Sequence, residues 1–264
     1  YMPEYNDEVT TSFVVDSWYN KSIWLYLLYP FSLVFSFLTS RRRRRYIKNK
    51  IKSFTSKIPL IVIGNLTIGG TGKTPLVKYI AKELMAKGYK PGIVSRGYGG
   101  QFKKTLKVTV ETSVKETGDE AQILSKLGIP FYIDKNRVRA VKELLKNNDC
   151  DVILSDDGLQ HYKMGRNIEI AVIDGRRRFG NNLTFPAGPL RESKNRLKTV
   201  DFIVNNSGPT DEGEYLMSIS PTKFVHLKSG KSYSVENWPM HNQVHAVAGL
   251  GNPGRFFDLL EKLG

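Results

Sequence analysis

The sequence predicts an α/β protein with a P-loop NTPase-like, doubly wound and mostly parallel sheet. Two observations predict this fold class. After Lys57, short β-branched apolar runs alternate with segments of helical length and periodicity. A glycine-rich segment with a phosphate-loop pattern also lies where the first such run meets the first helix. A chain of 264 residues can bury one such core beside a smaller second lobe.

The predicted elements alternate in order along the chain. Strands are expected at residues 59–64, 92–95, 131–133, 151–155, 168–173 and 202–204. Helices are expected at residues 74–87, 119–127 and 137–146, and glycines follow the first two at Gly88 and Gly128. Ligands of doubly wound sheets bind beyond the carboxyl ends of the strands, so the loops there are the candidate sites.

The chain is expected to divide into four parts. Residues 1–17 are an unassigned extension, and residues 18–58 form a membrane-associated helix with a basic segment. Residues 59–205 form the P-loop core, and residues 206–264 form a smaller, incomplete C-terminal α/β lobe. The single cysteine, Cys150, excludes an internal disulfide.

The formal charge of +15 indicates anionic partners. Residues 22–40 carry no charge and are largely apolar, and five consecutive arginines follow at residues 41–45. A membrane span needs roughly 20 apolar residues, and the order of charge and apolar run is not that of a signal peptide. We therefore expect a helix that is embedded in or lies on a membrane, although a buried core helix is an alternative. Much of the basic charge then faces lipid, and no nucleic-acid partner is expected.

The strongest chemical signal is the phosphate loop at residues 67–74. Its residues are Thr67, Ile68, Gly69, Gly70, Thr71, Gly72, Lys73 and Thr74. The glycines let backbone N–H groups turn toward phosphate oxygens, and the helix N-terminus adds its dipole. Lys73 would reach the β- and γ-phosphates, and the Thr74 hydroxyl would bind Mg²⁺. Thr67 stands where the pattern usually has its first glycine.

Two carboxylates follow an apolar strand at residues 152–154. Asp156 and Asp157 occupy the strand end where P-loop proteins hold Mg²⁺, although a plain strand-to-turn junction is the alternative. His161, a few residues on, is by itself more often structural than catalytic.

Three further segments are weak signals on their own. Residues 117–120, which include Asp119, have the spacing of a capping box, with Thr117 as the cap and Glu120 bonding back to its backbone, so spacing alone predicts a helix cap more than a site. The loop with Arg96 and Tyr98 and the loop with Arg191 and Glu192 are each more typical of surface loops.

Taken together and in order, these segments resemble the tetraacyldisaccharide 4'-kinase family of lipid A biosynthesis. The resemblance covers about residue 18 to the end of the chain. It is carried by the segments at residues 62–75, 94–100, 118–120, 155–161, 173–175, 185–192 and 246–257.

The resemblance implies phosphorylation of the 4'-hydroxyl of a tetraacylated glucosamine disaccharide 1-phosphate, with ATP and Mg²⁺ as cofactors. It implies action at the cytoplasmic face of a Gram-negative inner membrane, with membrane lipid and the lipid A disaccharide 1-phosphate as partners. It also implies that Asp119 is the catalytic base, beside Lys73, and that Thr74, Asp156, Glu120 and Glu192 surround the metal. The remaining active-site neighbours that it implies are Asp157, His161, Arg191, Arg96 and Tyr98. Family members continue into a histidine-containing loop that we expect beyond residue 264.

Two other functional classes are alternatives. A membrane-tethered GTPase switch would usually carry an Asn-Lys-x-Asp signature, which the sequence lacks. A nucleic-acid-binding module using residues 41–45 would show binding that falls steeply with salt. Neither accounts for the ordered set of segments, and the sequence does not predict an oligomeric state.

Overall fold

An eight-stranded sheet forms the centre of the computed structural model, which describes residues 7–237, 245–249 and 253–263. Its strands are β1 (Leu60–Gly64), β2 (Pro91–Ser95), β3 (Leu106–Lys107), β4 (Phe131–Ile133), β5 (Val152–Asp156), β6 (Ile168–Asp174), β7 (Phe202–Asn206) and β8 (Glu214–Met217). Their spatial order is β3-β4-β2-β5-β1-β6-β7-β8, and only β3 at one edge pairs antiparallel. The predicted doubly wound, mostly parallel sheet is confirmed.

The helices fill the connections between these strands and precede the sheet. They are α1 (Asp7–Asn20), α2 (Tyr29–Ile47), α3 (Lys73–Ala86), α4 (Val114–Thr117), α5 (Asp119–Ser125), α6 (Arg137–Asn147) and α7 (Pro253–Lys262). Helix α6 begins where the Asn136 side chain accepts a hydrogen bond from the Val138 N–H at 3.2 Å, as an N-cap residue does.

Strand β1 lies in the middle of the sheet, between β5 and β6. Its alternate side chains enter two different cores: Leu60 and Val62 pack into one, and Ile63 packs into the other with Leu76 and Val77 of α3. Burial on both faces explains why the strand is an unbroken apolar run instead of an alternating one. The phosphate loop therefore starts from a central strand that is paired on both edges.

The sheet continues beyond the predicted end of the core at residue 205. Residue 205 lies inside β7, and β8 adds a further parallel strand beside it. Arg178 fixes this addition, because its guanidinium donates to both oxygens of the Glu214 carboxylate at 2.8 Å. A separate antiparallel hairpin follows, formed by β9 (Lys223–Val225) and β10 (Ser232–Ser234). Arg176 pairs with Asp258, which ties α7 to the end of β6.

Parts of two predicted segments lie outside the described residues. In the N-terminal extension these are residues 1–6. In the C-terminal lobe they are residues 238–244, 250–252 and 264. Residues 250–252 belong to the predicted segment at 246–257.

The N-terminal apolar run is helical, as predicted. A short 3-10 helix (Ile23–Leu28) leads into α2, and Pro30 lies in the first turn of α2, where its missing N–H costs nothing. The stretch Ile23–Ile47 is long and apolar enough to cross a membrane, and only 11% of its most apolar window is buried. The alternative of a buried core helix is therefore not supported.

One face of α2 nevertheless docks on the core. The buried Ser32 hydroxyl donates to the Thr184 carbonyl at 2.7 Å and accepts from the Ala187 N–H at 2.9 Å. Further along the helix, Tyr46 stacks on Tyr162 with ring centroids 6.1 Å apart. These contacts hold α2 against loops that border the candidate site.

Candidate active site

The phosphate loop connects β1 to α3 and is shaped by two left-handed glycines. Gly69 has φ +106° and Gly72 has φ +88°, a region that residues with a Cβ adopt only with strain. At Gly72 a Cβ would also lie 2.0 Å from the Asn206 side-chain nitrogen. Both the conformation and the close approach therefore require glycine at position 72.

Two buried asparagines fix the carbonyls of the loop. The Asn65 Nδ2 donates to the carbonyls of Thr67 at 2.9 Å and Gly69 at 3.2 Å. The Asn206 Nδ2, at the end of β7, donates to the Thr71 carbonyl at 2.9 Å. The loop is thus preorganised by side chains from both of its flanks.

Strand β5 places two aspartates beside this loop. Asp156 pairs in register with Ile63 of β1, and Asp157 follows with φ +50°. The Lys73 Nζ lies 3.5 Å from Asp157 Oδ1, and the Arg191 Nη1 lies 3.1 Å from both Asp157 oxygens. Burial would raise the pKa of Asp157, but Lys73, Arg191 and Arg137 outweigh it and lower this pKa.

Asp156 is in the opposite electrostatic situation. Its side chain is buried, and Oδ1 has no hydrogen-bond partner within the described part of the chain. Burial raises its pKa to about 7, with Glu120 adding to the rise and Lys73 opposing it. A buried, ionised carboxylate oxygen that accepts no hydrogen bond destabilises the folded protein unless a cation lies beside it. Asp156, with the Thr74 hydroxyl one residue beyond Lys73, therefore fits a Mg²⁺ ion.

We expect Asp156→Asn to stabilise the ligand-free protein at pH 8. The folded pKa of about 7 lies above the ordinary 3.8, so the stability that Asp156 contributes is present below 3.8 and lost as pH rises through 7. Asparagine has nearly the same size as aspartate but carries no charge, so this loss of stability does not occur in the variant. The melting temperature measured from pH 4 to 8 should show a gain that grows with pH, while the extra stabilisation by Mg²⁺ with ATP disappears.

Asp157→Asn is the matched control, with the opposite sign. The pKa of Asp157 is lowered, so its stabilising ionised form is present above the ordinary pKa and lost only in acid. This variant should melt lower than the parent at pH 8. Equal melting shifts for the two variants would contradict the assignment of Asp156 as the uncompensated carboxylate.

The capping alternative for Asp119 and Glu120 is wrong. The N-cap of α5 is Gly118, with φ +82°, and it makes no side-chain capping bond. Thr117 instead ends α4, and its buried hydroxyl donates to the Ser113 carbonyl at 3.1 Å. Asp119 and Glu120 are thus left exposed in the first turn of α5.

The loop with Arg96 and Tyr98 lies beside this turn. A Cβ on Gly118 would lie 2.1 Å from the Tyr98 carbonyl, so the two loops are in direct backbone contact. The Tyr98 ring is 82% exposed, and Arg96 is exposed and acts electrostatically on Arg137. Both side chains therefore stand at the rim next to Asp119, free to meet a ligand.

The structure does not gather all of the predicted metal residues. Glu192 is buried and accepts a hydrogen bond from the Tyr162 hydroxyl at 2.6 Å, with the Arg196 Nε 3.8 Å from its other oxygen. No three His, Cys, Asp or Glu side chains among the described residues converge in a way that could hold a metal. The carboxylate of Glu192 contacts Tyr162, and it forms no such group with Asp156 and Glu120 in the described part of the chain.

His161 is within electrostatic reach of Arg137. Burial and the neighbouring cations, first among them Arg137, lower its pKa to about 4, so the imidazole is neutral near pH 7. Its Nε2 is buried without a partner in the part of the chain that the structure describes.

Sequence reasoning missed three residues that shape the site. Arg137, the first residue of α6, is buried and donates from Nη2 to the Asp157 carbonyl. Burial lowers its pKa to about 10, so it stays a cation behind the two aspartates. Asn65 and Asn206 hold the loop carbonyls. Of these three residues, only Asn65 could have been recognised from the sequence, because it directly follows the first predicted strand.

The fold and the site together define a P-loop kinase. A family model described as tetraacyldisaccharide-1-P 4'-kinase matches residues 24–264. The chain belongs to this family, which confirms the resemblance seen in the sequence.

Relatives and a solved structure agree with this membership. The tetraacyldisaccharide 4'-kinase of Methylobacillus flagellatus is 44% identical over 249 residues, which are 94% of this chain and 74% of the relative. That of Shewanella denitrificans is 42% identical over 248 residues, 94% of this chain and 75% of the relative. A crystal structure of LpxK from Aquifex aeolicus in complex with ATP is 27% identical with a TM-score of 0.76, covering 92% of this chain and 79% of that one.

Proposed function

We propose that this chain transfers the γ-phosphate of ATP to the 4'-hydroxyl of a tetraacylated glucosamine disaccharide 1-phosphate, giving the 4'-phosphorylated product of lipid A biosynthesis. The observation that carries the proposal is the preorganised phosphate loop beside the Asp156–Asp157 strand end, in a chain of the tetraacyldisaccharide-1-P 4'-kinase family.

Each step of phosphoryl transfer has a candidate group in the site. Lys73, buried at the start of α3, neutralises charge on the β- and γ-phosphates. Thr74 and Asp156 would hold a Mg²⁺ ion, which would add positive charge beside the phosphates. Asp119, exposed beside the rim loop, accepts the proton of the attacking hydroxyl. Arg191 and Arg137 hold Asp157, and Asp157 in turn positions Lys73.

The substrate carries acyl chains, and α2 offers them a surface. Phe31, Val34, Phe37 and Leu38 are each more than half exposed on this helix. Arginines follow at once, as at the cytoplasmic side of membrane helices. We therefore place the protein at the cytoplasmic face of the inner membrane, with α2 in the lipid and the kinase site next to the headgroups.

Polar substitutions on the exposed face of α2 should release the protein from membranes. We expect the triple variant Phe31→Gln, Phe37→Gln, Leu38→Gln to move largely into the soluble fraction, because each exposed apolar side chain contributes about 1.5–3 kcal/mol on burial in lipid. Sedimentation of lysate membranes measures this. The matched control is Tyr79→Gln, Met85→Gln, Ile123→Gln, which changes three apolar residues of α3 and α5 that are 43–60% exposed. Equal release by both sets would contradict an anchor on α2.

Phosphoryl transfer itself tests the proposed function. The purified chain is incubated in detergent micelles with ATP, Mg²⁺ and the tetraacyldisaccharide 1-phosphate, and the lipid product is identified by mass spectrometry and phosphorus NMR. Addition of one phosphate at the 4'-position supports the proposal. Phosphate at another hydroxyl, or ATP hydrolysis that lipid does not stimulate, would contradict it.

A further inference from the structure

A cavity of about 320 Å³ lies between the carboxyl-terminal end of α2 and the core, apart from the phosphate loop. Its lining includes Arg43 and Tyr46 from α2, and Tyr162, Arg166, Glu169 and Arg196 from the core. None of these residues has a role in the phosphoryl-transfer steps above, so the cavity needs an explanation of its own.

The charge of the lining favours an anion. Three arginines face one carboxylate, Glu169, which gives a net charge of +2 for the lining. One oxygen of Glu169, Oε1, is engaged twice, because Arg166 Nη1 donates to it at 2.9 Å and Arg196 pairs with it as well. Arg166 also donates hydrogen bonds to backbone carbonyls, including that of Leu159 at 2.9 Å. The guanidinium groups of Arg166 and Arg196 are thus held by contacts within the cavity wall.

Arg43 is the third guanidinium, and it is not fully used. Its Nη2 donates to the Thr199 hydroxyl at 2.8 Å, but its Nε is buried and has no hydrogen-bond partner among residues 7–237, 245–249 and 253–263. Arg43 makes no ion pair within 4 Å among the described residues, although it acts electrostatically on the buried Glu192. A buried donor left unpaired is costly, whereas a phosphate oxygen would accept from it in a charge-assisted bond. The cavity therefore has the charge and the free donor that a phosphate group requires.

The position of the cavity relates it to the substrate. Tyr162 in its wall follows His161, and its hydroxyl donates to Glu192 at 2.6 Å. The residue before Glu192 is Arg191, which contacts Asp157 in the kinase site. The cavity therefore backs onto the wall of the kinase site, at the end of α2 where lipid headgroups would lie.

We infer that this cavity binds the phosphate that the lipid substrate already carries, with Arg43 as the specificity-determining donor. This inference rests on the proposed function, since it assigns the second polar end of the same substrate. With its phosphate held here, a disaccharide would present its opposite end toward the phosphate loop. A phosphate of a membrane phospholipid has the same chemistry, and the experiment separates the two sources.

The test is equilibrium binding without ATP, in neutral detergent micelles. The ligands are the tetraacyldisaccharide with and without its 1-phosphate. We expect the wild type to bind the phosphorylated lipid about tenfold more tightly than the dephosphorylated one. Arg43→Gln should lose most of this preference and bind the dephosphorylated lipid as the wild type does. The control Arg44→Gln, an exposed arginine that does not line this cavity, should keep the preference.

Three outcomes would overturn the inference. Arg43→Gln could keep the full preference, or it could weaken both lipids equally. It could instead lose only its affinity for phosphatidylglycerol vesicles relative to phosphatidylcholine vesicles, and a membrane phosphate would then be the ligand. Because binding is measured without turnover, a protein that shows the phosphate preference but transfers no phosphate would contradict the proposed function and not this subsite.

Discussion

Lys73→Met should abolish detectable phosphoryl transfer while leaving the fold intact. Lys73 is the first residue of α3 and is buried, with 8% of its surface exposed. Its Nζ lies 3.5 Å from Asp157 Oδ1. Methionine keeps a similar unbranched shape but removes the cation that meets the γ-phosphate as charge develops. Removing one preorganised electrostatic group typically costs about 10²–10³-fold in kcat, and the loss of nucleotide positioning adds to this. Radiolabelled phosphate transfer to lipid measures the change.

The matched control is Lys78→Met on the same helix. Lys78 is exposed, so its substitution should leave both turnover and ATP binding close to those of the parent. Asp157 remains paired with Arg191 in the Lys73 variant, so the melting temperature of that variant should fall only modestly. Near-normal turnover in Lys73→Met would remove residues 67–74 from the transfer step, whatever their geometry.

The fold was predictable because its strands are buried on both faces. Each predicted strand of the core lies within one or two residues of an observed one, since unbroken apolar runs between turn residues have few other solutions in an α/β chain. The two short strands at the sheet edges, β3 and β8, were missed. Leu106 and Lys107 in β3 are too few to show any period, and the β8 residues Tyr215 and Leu216 are largely exposed.

The site residues could be predicted only where a side chain suited to the chemistry lies at the end of a predicted strand. Asp156 and Asp157 follow a buried run, and register with β1 then brings them to the phosphate loop. Glu192 shows where this reasoning ends. Its neighbour Arg191 contacts Asp157, but the chain bends at both residues, and Glu192 contacts Tyr162 instead. Arg137 carried no signal, because its burial depends on where α6 begins relative to a strand distant in sequence.

Asp119 is the residue for which local spacing and family membership gave opposite expectations. Spacing predicted a capping box, and the structure shows that Gly118 occupies the N-cap position without any side-chain bond. An exposed carboxylate in the first turn of α5 gains only a modest helix-dipole stabilisation, roughly 0.3–1 kcal/mol. Asp119 can therefore be changed without a large cost to the fold, which makes it suitable for a kinetic test of its role as the base.

We expect Asp119→Asn to lower kcat by about 10²-fold or more, because asparagine keeps the shape but cannot accept the proton of the attacking hydroxyl. The affinity for ATP and the melting temperature should stay near those of the parent, since the phosphate loop and its supports at Asn65 and Asn206 are untouched. Steady-state kinetics at saturating ATP and lipid measures the effect.

Two control variants separate catalysis from local structure at this corner. Glu116→Gln removes a nearby exposed carboxylate from α4 and should leave kcat unchanged. Thr117→Ala deletes the buried hydroxyl that bonds to Ser113, so it should lower the melting temperature with a smaller effect on kcat than Asp119→Asn. If Asp119→Asn turned over at the parental rate, the base would have to be another group. Asp157 would be a poor replacement, because Lys73 and Arg191 hold its carboxylate in the ionised, ion-paired state and lower its affinity for a proton.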